Sequence, residues 1–420
     1  MKKIKIIEKE NYLIKILIIF FGIFTIIKLL DHTLSKDAWQ YGEWLINYQN
    51  GFVRRGLVGE LILIFSKLFN NNIQISFFII LSIIVVFYYL ATYSFIKNIK
   101  FNFITYLIFF SPLFYFFIVV ISKVGIRKEI LLYLFYLVYL INLSKNDYKI
   151  SENWKYILVF PLLLLNHEGA FFYLPYIILP LFILVKKNED FKKVLLQSLI
   201  FLIISSFVEI IIYFNKGTEI HTNTICSSLS IYAPEKCTWW GPVAALKANV
   251  HFLKGGSYFE GIKNLNSTNV ETFYIFNQAN TYLGFILYLI ISFIPIYLFY
   301  KFFFIKKFNF FFLFIFFAFL FSLPLFHITE DWSRWFSIHF HLIAFNIFFL
   351  FKKKLVNINN NSNFNQINIK LIKNKFRTLF FISLFIYSTF LHHHHFFFKD
   401  VRLELTYLKI YDKIKKNLSN

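Results

Sequence analysis

The sequence predicts an all-α, polytopic membrane protein of about eleven spanning helices, within a range of ten to twelve. Of its 420 residues, 58% are hydrophobic and only 16% are charged, against ~25% charged residues in soluble domains. Apolar runs of about 20 residues, the length that crosses a bilayer, recur along the chain. This composition excludes disordered, collagen-like and disulfide-rich secreted proteins.

The predicted helices form one membrane domain, 1–420. Two short segments, 156–166 and 170–185, flank the polar tetrad 166–169, which predicts two half-helices joined by a loop that dips into the membrane. The other predicted spans are 12–30, 73–96, 101–121, 130–144, 194–215, 276–300, 308–326, 335–351 and 378–391.

Basic residues set the expected orientation. Several lysines precede the first span, which places the N-terminus in the cytoplasm. Alternation then puts 31–72 and the large loop 216–275 outside, and the Asn/Lys-rich linker 352–377 inside. The stretch Leu57–Phe69 of the first outer loop is amphipathic and is expected to lie on the membrane surface. An odd span count puts the basic C-terminal tail outside, against the positive-inside rule, so its side stays open.

The net charge of +22 follows from these basic loops, and we expect no nucleic-acid binding. The two cysteines, Cys226 and Cys237, both fall in the large outer loop, where a disulfide is expected and two free thiols are the alternative. Neither belongs to a metal-ligand pattern. We expect no metal site and no cofactor, and leave a divalent cation open.

Most titratable side chains near membrane level are predicted to lie on one side of the membrane. All eleven histidines fall on the predicted outer side or in the outer part of a span, and many acids near membrane level follow them. Ionisable groups at that depth are costly and usually functional. The pattern favours a site open to the outside and disfavours a transporter, which needs polar groups through the midplane. The alternative is that outer loops are simply rich in histidine.

Two basic motifs on this face suit an anionic ligand. Arg54 and Arg55 stand between glycines in the first outer loop, and guanidinium groups bind phosphate oxygens bidentately. Lys123, Arg127 and Lys128 lie in a short outer loop, where the topology rule expects few cations. For both motifs the alternative reading is an anchor for lipid headgroups.

Two further motifs offer acid-base groups. His167 beside Glu168 would be a general base and its neighbour, although adjacent residues on a helix do not face each other and more readily serve different partners. The alternative is a polar loop that caps a helix. In HITEDWSRW, His327 and Glu330 are candidates, whereas Asp331 and Arg334 are spaced for a local ion pair. Trp332 and Trp335 fit an interfacial belt or a platform on which a sugar stacks, and we favour the belt.

A lipid-linked phosphate or diphosphate is an anionic substrate at the membrane surface that needs a polytopic protein. Its leaving group is already activated, which agrees with the absence of a nucleotide-binding loop from the sequence. We therefore predict transfer or polymerisation of a polyprenyl-diphosphate-linked oligosaccharide. The rivals are a flippase for the same lipid, a membrane acyltransferase that modifies surface glycans, and a non-catalytic scaffold.

The segment GFVRRGLVGE, 51–60, with RKE at 127–129 and DWSRW at 331–335, resembles membrane proteins of bacterial surface-polysaccharide assembly. The chain as a whole resembles the integral-membrane glycosyltransferases of class C, especially the oligosaccharide repeat-unit (O-antigen) polymerases. The resemblance implies a bacterial inner membrane, other assembly proteins as partners, and an acidic catalytic residue in the first outer loop. That acid would be Asp31, Asp37 or Glu43. Unlike the loops of such polymerases, 216–275 contains no arginine, so single-addition transfer stays an alternative.

The predicted site has two parts. The acid-base group comprises Asp31, Asp37, Glu43, His167 and Glu168, with support from His327, Glu330 and Asp331. The diphosphate group comprises Arg54, Arg55, Lys123, Arg127, Lys128 and Arg334.

Overall fold

The computed structural model is a helical bundle whose described part agrees with the predicted all-α class. It describes residues 2–36, 40–97, 99–120, 126–185, 188–229, 242–246, 270–305, 308–328, 332–358 and 377–390. Fifteen α-helices occur within these ranges. They are α1 Lys2–Ser35, α2 Gln40–Trp44, α3 Leu57–Leu68, α4 Ile73–Ile96, α5 Phe103–Phe109, α6 Tyr115–Val120, α7 Glu129–Leu143, α8 Trp154–Leu164, α9 Leu174–Leu184, α10 Asn188–Phe214, α11 Glu219–Leu229, α12 Val270–Phe302, α13 Phe308–Ile328, α14 Trp332–Lys352 and α15 Arg377–Phe390.

Four helices in the described part are long and apolar enough to cross a membrane: 12–35, 73–96, 190–214 and 332–352. Five shorter apolar segments accompany them: 129–143, 168–184, 286–302, 310–326 and 379–388. These apolar helices are compatible with a multi-pass membrane protein. The predicted span 101–121 is divided into α5 and α6 by Ser111 and Pro112, because proline cannot donate to a helical carbonyl.

Helix α14 is the central helix of the bundle. In its most apolar window 83% of the residues are buried, and α7, α9 and α13 pack against it. At its C-terminal end the Lys352 ammonium donates to the carbonyls of Ser94 and Phe95, at 3.3 and 2.6 Å. These bonds fix α14 along its axis relative to the end of α4. They therefore also fix the position of Arg334 at the other end of α14.

The expected half-helices on either side of the tetrad are present as α8 and α9. Between them the chain forms a 3₁₀ turn, Glu168–Tyr173, and His167 caps that turn through its ring nitrogen Nδ1, which accepts from the Gly169 N–H at 3.0 Å. Two more 3₁₀ turns lie at Ile150–Asn153 and Ala244–Leu246. A short antiparallel pair, β1 Phe303–Ile305 with β2 Val356–Ile358, was not expected from the sequence.

The surface helix α3 agrees with the predicted amphipathic stretch. Val58, Ile62 and Leu63 are buried, whereas Leu61 and Leu68 are exposed. A Cβ at Gly59 would lie 1.9 Å from the Ile46 carbonyl oxygen. Only glycine permits this contact, so α3 packs directly against the backbone that leads to the arginine pair.

Candidate functional site

The segment 40–56 is fixed against the start of α7. Helix α2 is fully buried and carries Glu43. The indole Nε1 of Trp44 donates to the Ile126 carbonyl at 2.9 Å. This bond joins two motifs that lie 82 positions apart, and it brings Glu43 close to Arg127.

The arginine pair lies on a turn with an unusual backbone. Gly51 has a φ of +100°, and Arg55 adopts a left-handed φ of +65°, which costs a non-glycine residue about 1–3 kcal/mol and tends to occur at functional sites. The Arg54 N–H donates to the Asn215 carbonyl at 2.9 Å, and the Val58 N–H donates to the Asn166 side chain at 2.9 Å. The turn is thus attached to the end of α10 and to the tetrad.

Arg55 forms a bidentate ion pair with Glu168. Its Nε donates to both carboxylate oxygens at 2.9 and 2.8 Å, and its Nη2 lies 2.6 Å from Oε1. The Nη1 of Arg54 is farther away, at 3.7 Å. Burial lowers the pKa of Arg55, but the Glu168 carboxylate outweighs burial and raises it above its usual value. Glu168 is therefore the counter-ion of the arginine turn.

Glu43 is enclosed by three arginines. Arg127 Nε lies 2.6 Å from its carboxylate, Arg55 Nη1 3.5 Å and Arg334 Nη2 3.9 Å away. Burial alone would raise the pKa of Glu43, but the three guanidinium groups outweigh burial and lower it to about 2. Glu43 is consequently ionised at neutral pH and engaged with cations.

Glu129 forms the other half of the network. It accepts from Arg334 and from His167 Nε2, the latter at 2.9 Å. Since His167 Nδ1 accepts from the Gly169 N–H, a neutral ring carries its proton on Nε2, which lies 2.9 Å from the Glu129 carboxylate and 3.1 Å from Arg334 Nη2. The ring then has no free lone pair. As predicted, His167 and Glu168 contact different partners, and a general-base role for either stays a prediction.

Lys128 is buried behind the arginine turn. Its Nζ donates to the Arg55 carbonyl at 2.6 Å and lies 5.9 Å from the centre of the Trp44 ring. Burial lowers the pKa of Lys128 to about 7, against the attraction of Glu43. This ammonium can therefore lose its proton near neutral pH.

We call these nine residues the charge cluster: Glu43, Arg54, Arg55, Arg127, Lys128, Glu129, His167, Glu168 and Arg334. Five of its side chains are basic and three are acidic, histidine aside. The Nε of Arg54 is buried without a hydrogen-bond partner, and its Nη2 makes a long bond of 3.3 Å to the Ala245 carbonyl. Arg54 therefore keeps donor capacity that a further anion could use.

A narrow apolar cleft borders the charge cluster, with a cavity volume of about 10 Å³, room for about one water molecule. Lys128, Glu129 and His167 form its polar wall. Its apolar wall consists of Leu131, Leu132, Leu163, Ala170, Tyr173, Trp335 and Ile338. Trp335 is only 3% exposed, with the Arg334 guanidinium 5.0 Å from its ring centre. The interfacial belt expected for Trp335 is therefore wrong, because this indole packs inside the site.

The structure brings together eight of the predicted residues: Glu43, Arg54, Arg55, Arg127, Lys128, His167, Glu168 and Arg334. Asp31 is exposed on α1 and interacts with Lys28 instead. The predictions for Asp37, Lys123, Glu330, Asp331 and Cys237, and for the His327 side chain, lie outside the described residues. Cys226 is disulfide-bonded.

Two residues of the site were missed as candidates. Glu129 follows two basic residues and looks like a local counter-charge, and Trp335 looks interfacial. No local spacing marks the role of Glu129, because its partner Arg334 lies 205 positions away.

The described residues contain no group of three or more histidine, cysteine, aspartate or glutamate side chains that could hold a metal ion. No protein-family model matches the chain, and comparisons with curated proteins and with solved structures found no match.

Proposed function

We propose that this protein is a bacterial inner-membrane enzyme that transfers or polymerises a polyprenyl-diphosphate-linked oligosaccharide outside the cytoplasm. The observation that carries the proposal is a buried cluster with more basic than acidic side chains, which borders an apolar cleft. A buried excess of positive charge is costly unless an anion compensates it. An anionic headgroup would compensate this charge, and an apolar chain attached to it would lie along the apolar residues beside the cluster.

The arginines would act on the leaving group. When an acceptor hydroxyl attacks the anomeric carbon of the donor, the carbon–oxygen bond to the diphosphate breaks and the diphosphate keeps the electron pair. Preorganised cations that face this developing charge stabilise the transition state. Arg54, with its buried and unpartnered Nε, is the residue that we assign to the diphosphate, and Glu168 and Glu43 keep the other guanidinium groups in place.

The experiment is a gel of surface glycan from cells that lack the gene and express either the wild type or a variant. Arg54→Gln should collapse the polymer ladder to a single repeat unit. Lys67→Gln, which removes an exposed cation from α3, should leave the ladder intact. A normal ladder in the Arg54 variant, at an equal protein level in the membrane, contradicts the proposal.

A second measurement separates transfer from flipping. Purified protein in detergent is mixed with a polyprenyl-diphosphate-linked oligosaccharide, and the length of the glycan is followed. A micelle has no two sides, so a flippase leaves the donor unchanged, whereas a transferase or polymerase lengthens the glycan. Donor binding without any lengthening would favour the flippase.

A further inference from the structure

The donor of the proposed transfer carries its glycan directly on the diphosphate, so the first sugar has to lie beside the residue that holds the phosphate oxygens. The proposed function assigns these oxygens to Arg54. The chain that leads into Arg54 is the turn 48–52, with the sequence YQNGF, and its last four residues are exposed. The turn contains two aromatic residues, Tyr48 and Phe52, which we call the aromatic pair.

The turn that carries the aromatic pair is held from two sides. The Gly51 N–H closes it by donating to the Tyr48 carbonyl at 3.0 Å, and glycine adopts the φ of +100° found there without strain. The Tyr48 N–H donates to Glu60 of α3 at 2.8 Å, and the Ser228 hydroxyl of α11 donates to the Gln49 side chain at 2.5 Å. Because this backbone is already fixed, little entropy is lost when a ligand binds to it.

The aromatic pair packs against the arginine turn. The ring centroids of Tyr48 and Phe52 are 5.4 Å apart, and the ring planes are tilted by 30°. A Cβ at Gly56 would lie 2.2 Å from Tyr48 Cε1, so the tyrosine ring lies directly on the backbone that follows Arg54 and Arg55. Phe52 is 37% exposed. One ring of the pair is therefore open, and the other covers the arginine turn.

The surroundings of the open ring suit a carbohydrate. The face of an aromatic ring is electron-rich, and it attracts the polarised C–H groups that line one face of a sugar ring. The hydroxyl groups of the sugar need partners that donate and accept hydrogen bonds, which side-chain amides do. Gln49 and Asn50 are exposed amides of the same turn. Aromatic and amide side chains thus lie together on a fixed turn beside Arg54.

We propose that the aromatic pair and the two amides form a carbohydrate subsite for the sugar that is bonded to the donor diphosphate, an inference that rests on the proposed function. The apolar face of the sugar stacks on Phe52, and its hydroxyl groups bond to Gln49 and Asn50. Tyr48 supports the phenyl ring from the arginine turn. The subsite would orient the anomeric carbon while Arg54 holds the leaving diphosphate.

The test measures the affinity of the purified protein in detergent for two ligands, a polyprenyl-diphosphate-linked oligosaccharide and bare polyprenyl diphosphate. Phe52→Leu keeps an apolar side chain but removes the ring. It should weaken binding of the glycan-linked ligand by about 2–10-fold, the scale of one aromatic contact, and leave binding of the bare diphosphate unchanged. Phe52→Tyr should bind both ligands like the wild type.

The matched control is Phe69→Leu, which removes the exposed ring of another aromatic pair. Phe69 is 60% exposed and lies 4.5 Å from Phe65 between ring centroids, at the far end of α3 from the arginine turn. This variant should bind both ligands like the wild type. A loss of glycan binding as large as that of Phe52→Leu would show that any exposed ring has this effect, and it would overturn the subsite.

The two ligands separate the subsite from the proposed function. If Phe52→Leu weakens binding of both ligands equally, Phe52 supports the arginine turn or contacts lipid, and the subsite is overturned while the proposed function stands. The same holds if Phe52→Leu weakens neither, or if Phe52→Tyr behaves like Phe52→Leu. A wild type that binds neither ligand overturns the proposed function and the subsite together.

Discussion

Glu168→Gln is expected to destabilise the protein by about 3 kcal/mol, because it leaves the Arg55 guanidinium without its bidentate partner. Breaking a buried ion pair by removing one member typically costs about 3–5 kcal/mol. The Glu168 side chain is 11% exposed but that of Arg55 is 24% exposed, so solvent screens part of the stranded charge and the lower end of the range applies. Arg54, 3.7 Å away, also loses its carboxylate.

The control is the exposed pair of Glu152 and Lys155, 3.6 Å apart, with side chains 39 and 54% exposed. Surface pairs contribute about 0–1 kcal/mol, so Glu152→Gln should change the free energy of unfolding little. In the double variant Arg55→Met/Glu168→Gln the stranded charge is gone. We therefore expect a coupling energy of about 2 kcal/mol between the two positions.

The assay is unfolding of the purified protein by a denaturing detergent in mixed micelles, followed by tryptophan fluorescence. If Glu168→Gln is as mild as Glu152→Gln, the carboxylate does not hold the arginine turn and the reasoning is refuted. Additive effects of the two cluster substitutions would refute it equally, since they would show that the two side chains do not interact.

Other predictions concern the neighbours of the cluster. Burial lowers the pKa of Lys128 to about 7, so this side chain loses its positive charge as the pH rises through about 7. Affinity for a polyprenyl diphosphate, measured by calorimetry in nanodiscs, should fall over the same range. Lys128→Arg, which stays charged, should abolish this dependence. Gly59→Ala should destabilise the protein by about 1–3 kcal/mol, the usual cost of overpacking, because the new Cβ would lie 1.9 Å from the Ile46 carbonyl oxygen. Gly22→Ala should be tolerated in the same unfolding assay, because its new Cβ would lie no closer than 3.4 Å to any neighbouring side-chain atom. Trp335→Ala should cost about 3–5 kcal/mol as a buried aromatic truncation, whereas a change within about 0.5 kcal/mol would indicate a surface tryptophan.

Local patterns predicted the helices and the motifs because both depend on neighbouring residues. The apolar run 73–96 coincides with α4, and the glycine-flanked arginines do lie on a tight turn. The ion pairs could not be derived in the same way. Arg334 has Asp331 at helical spacing in the sequence, yet its described partner Glu129 is 205 positions away. Such a pair depends on how the helices pack, which no local spacing reveals.

The same limit applies to the acids. The resemblance made Asp31, Asp37 and Glu43 equal candidates in the predicted first outer loop. The structure separates Asp31, which is exposed, from Glu43, which is fully buried among arginines.

The enclosure of α14 has a consequence for how the protein enters the membrane. Its mean hydropathy is 1.3, against 2.4–2.6 for the other three long apolar helices, because it carries Arg334, two histidines and an asparagine that only protein neighbours can satisfy. Lipid is therefore a poor solvent for this helix, and we expect it to insert stably only after its partner helices have arrived. Expressed alone in a membrane-insertion assay, α14 should insert less often than α4, and adding α7 and α13 to the same chain should restore its insertion. The helix that carries Arg334 would then insert into the bilayer after its partner helices. The charged site would therefore form only when the helix bundle itself is complete.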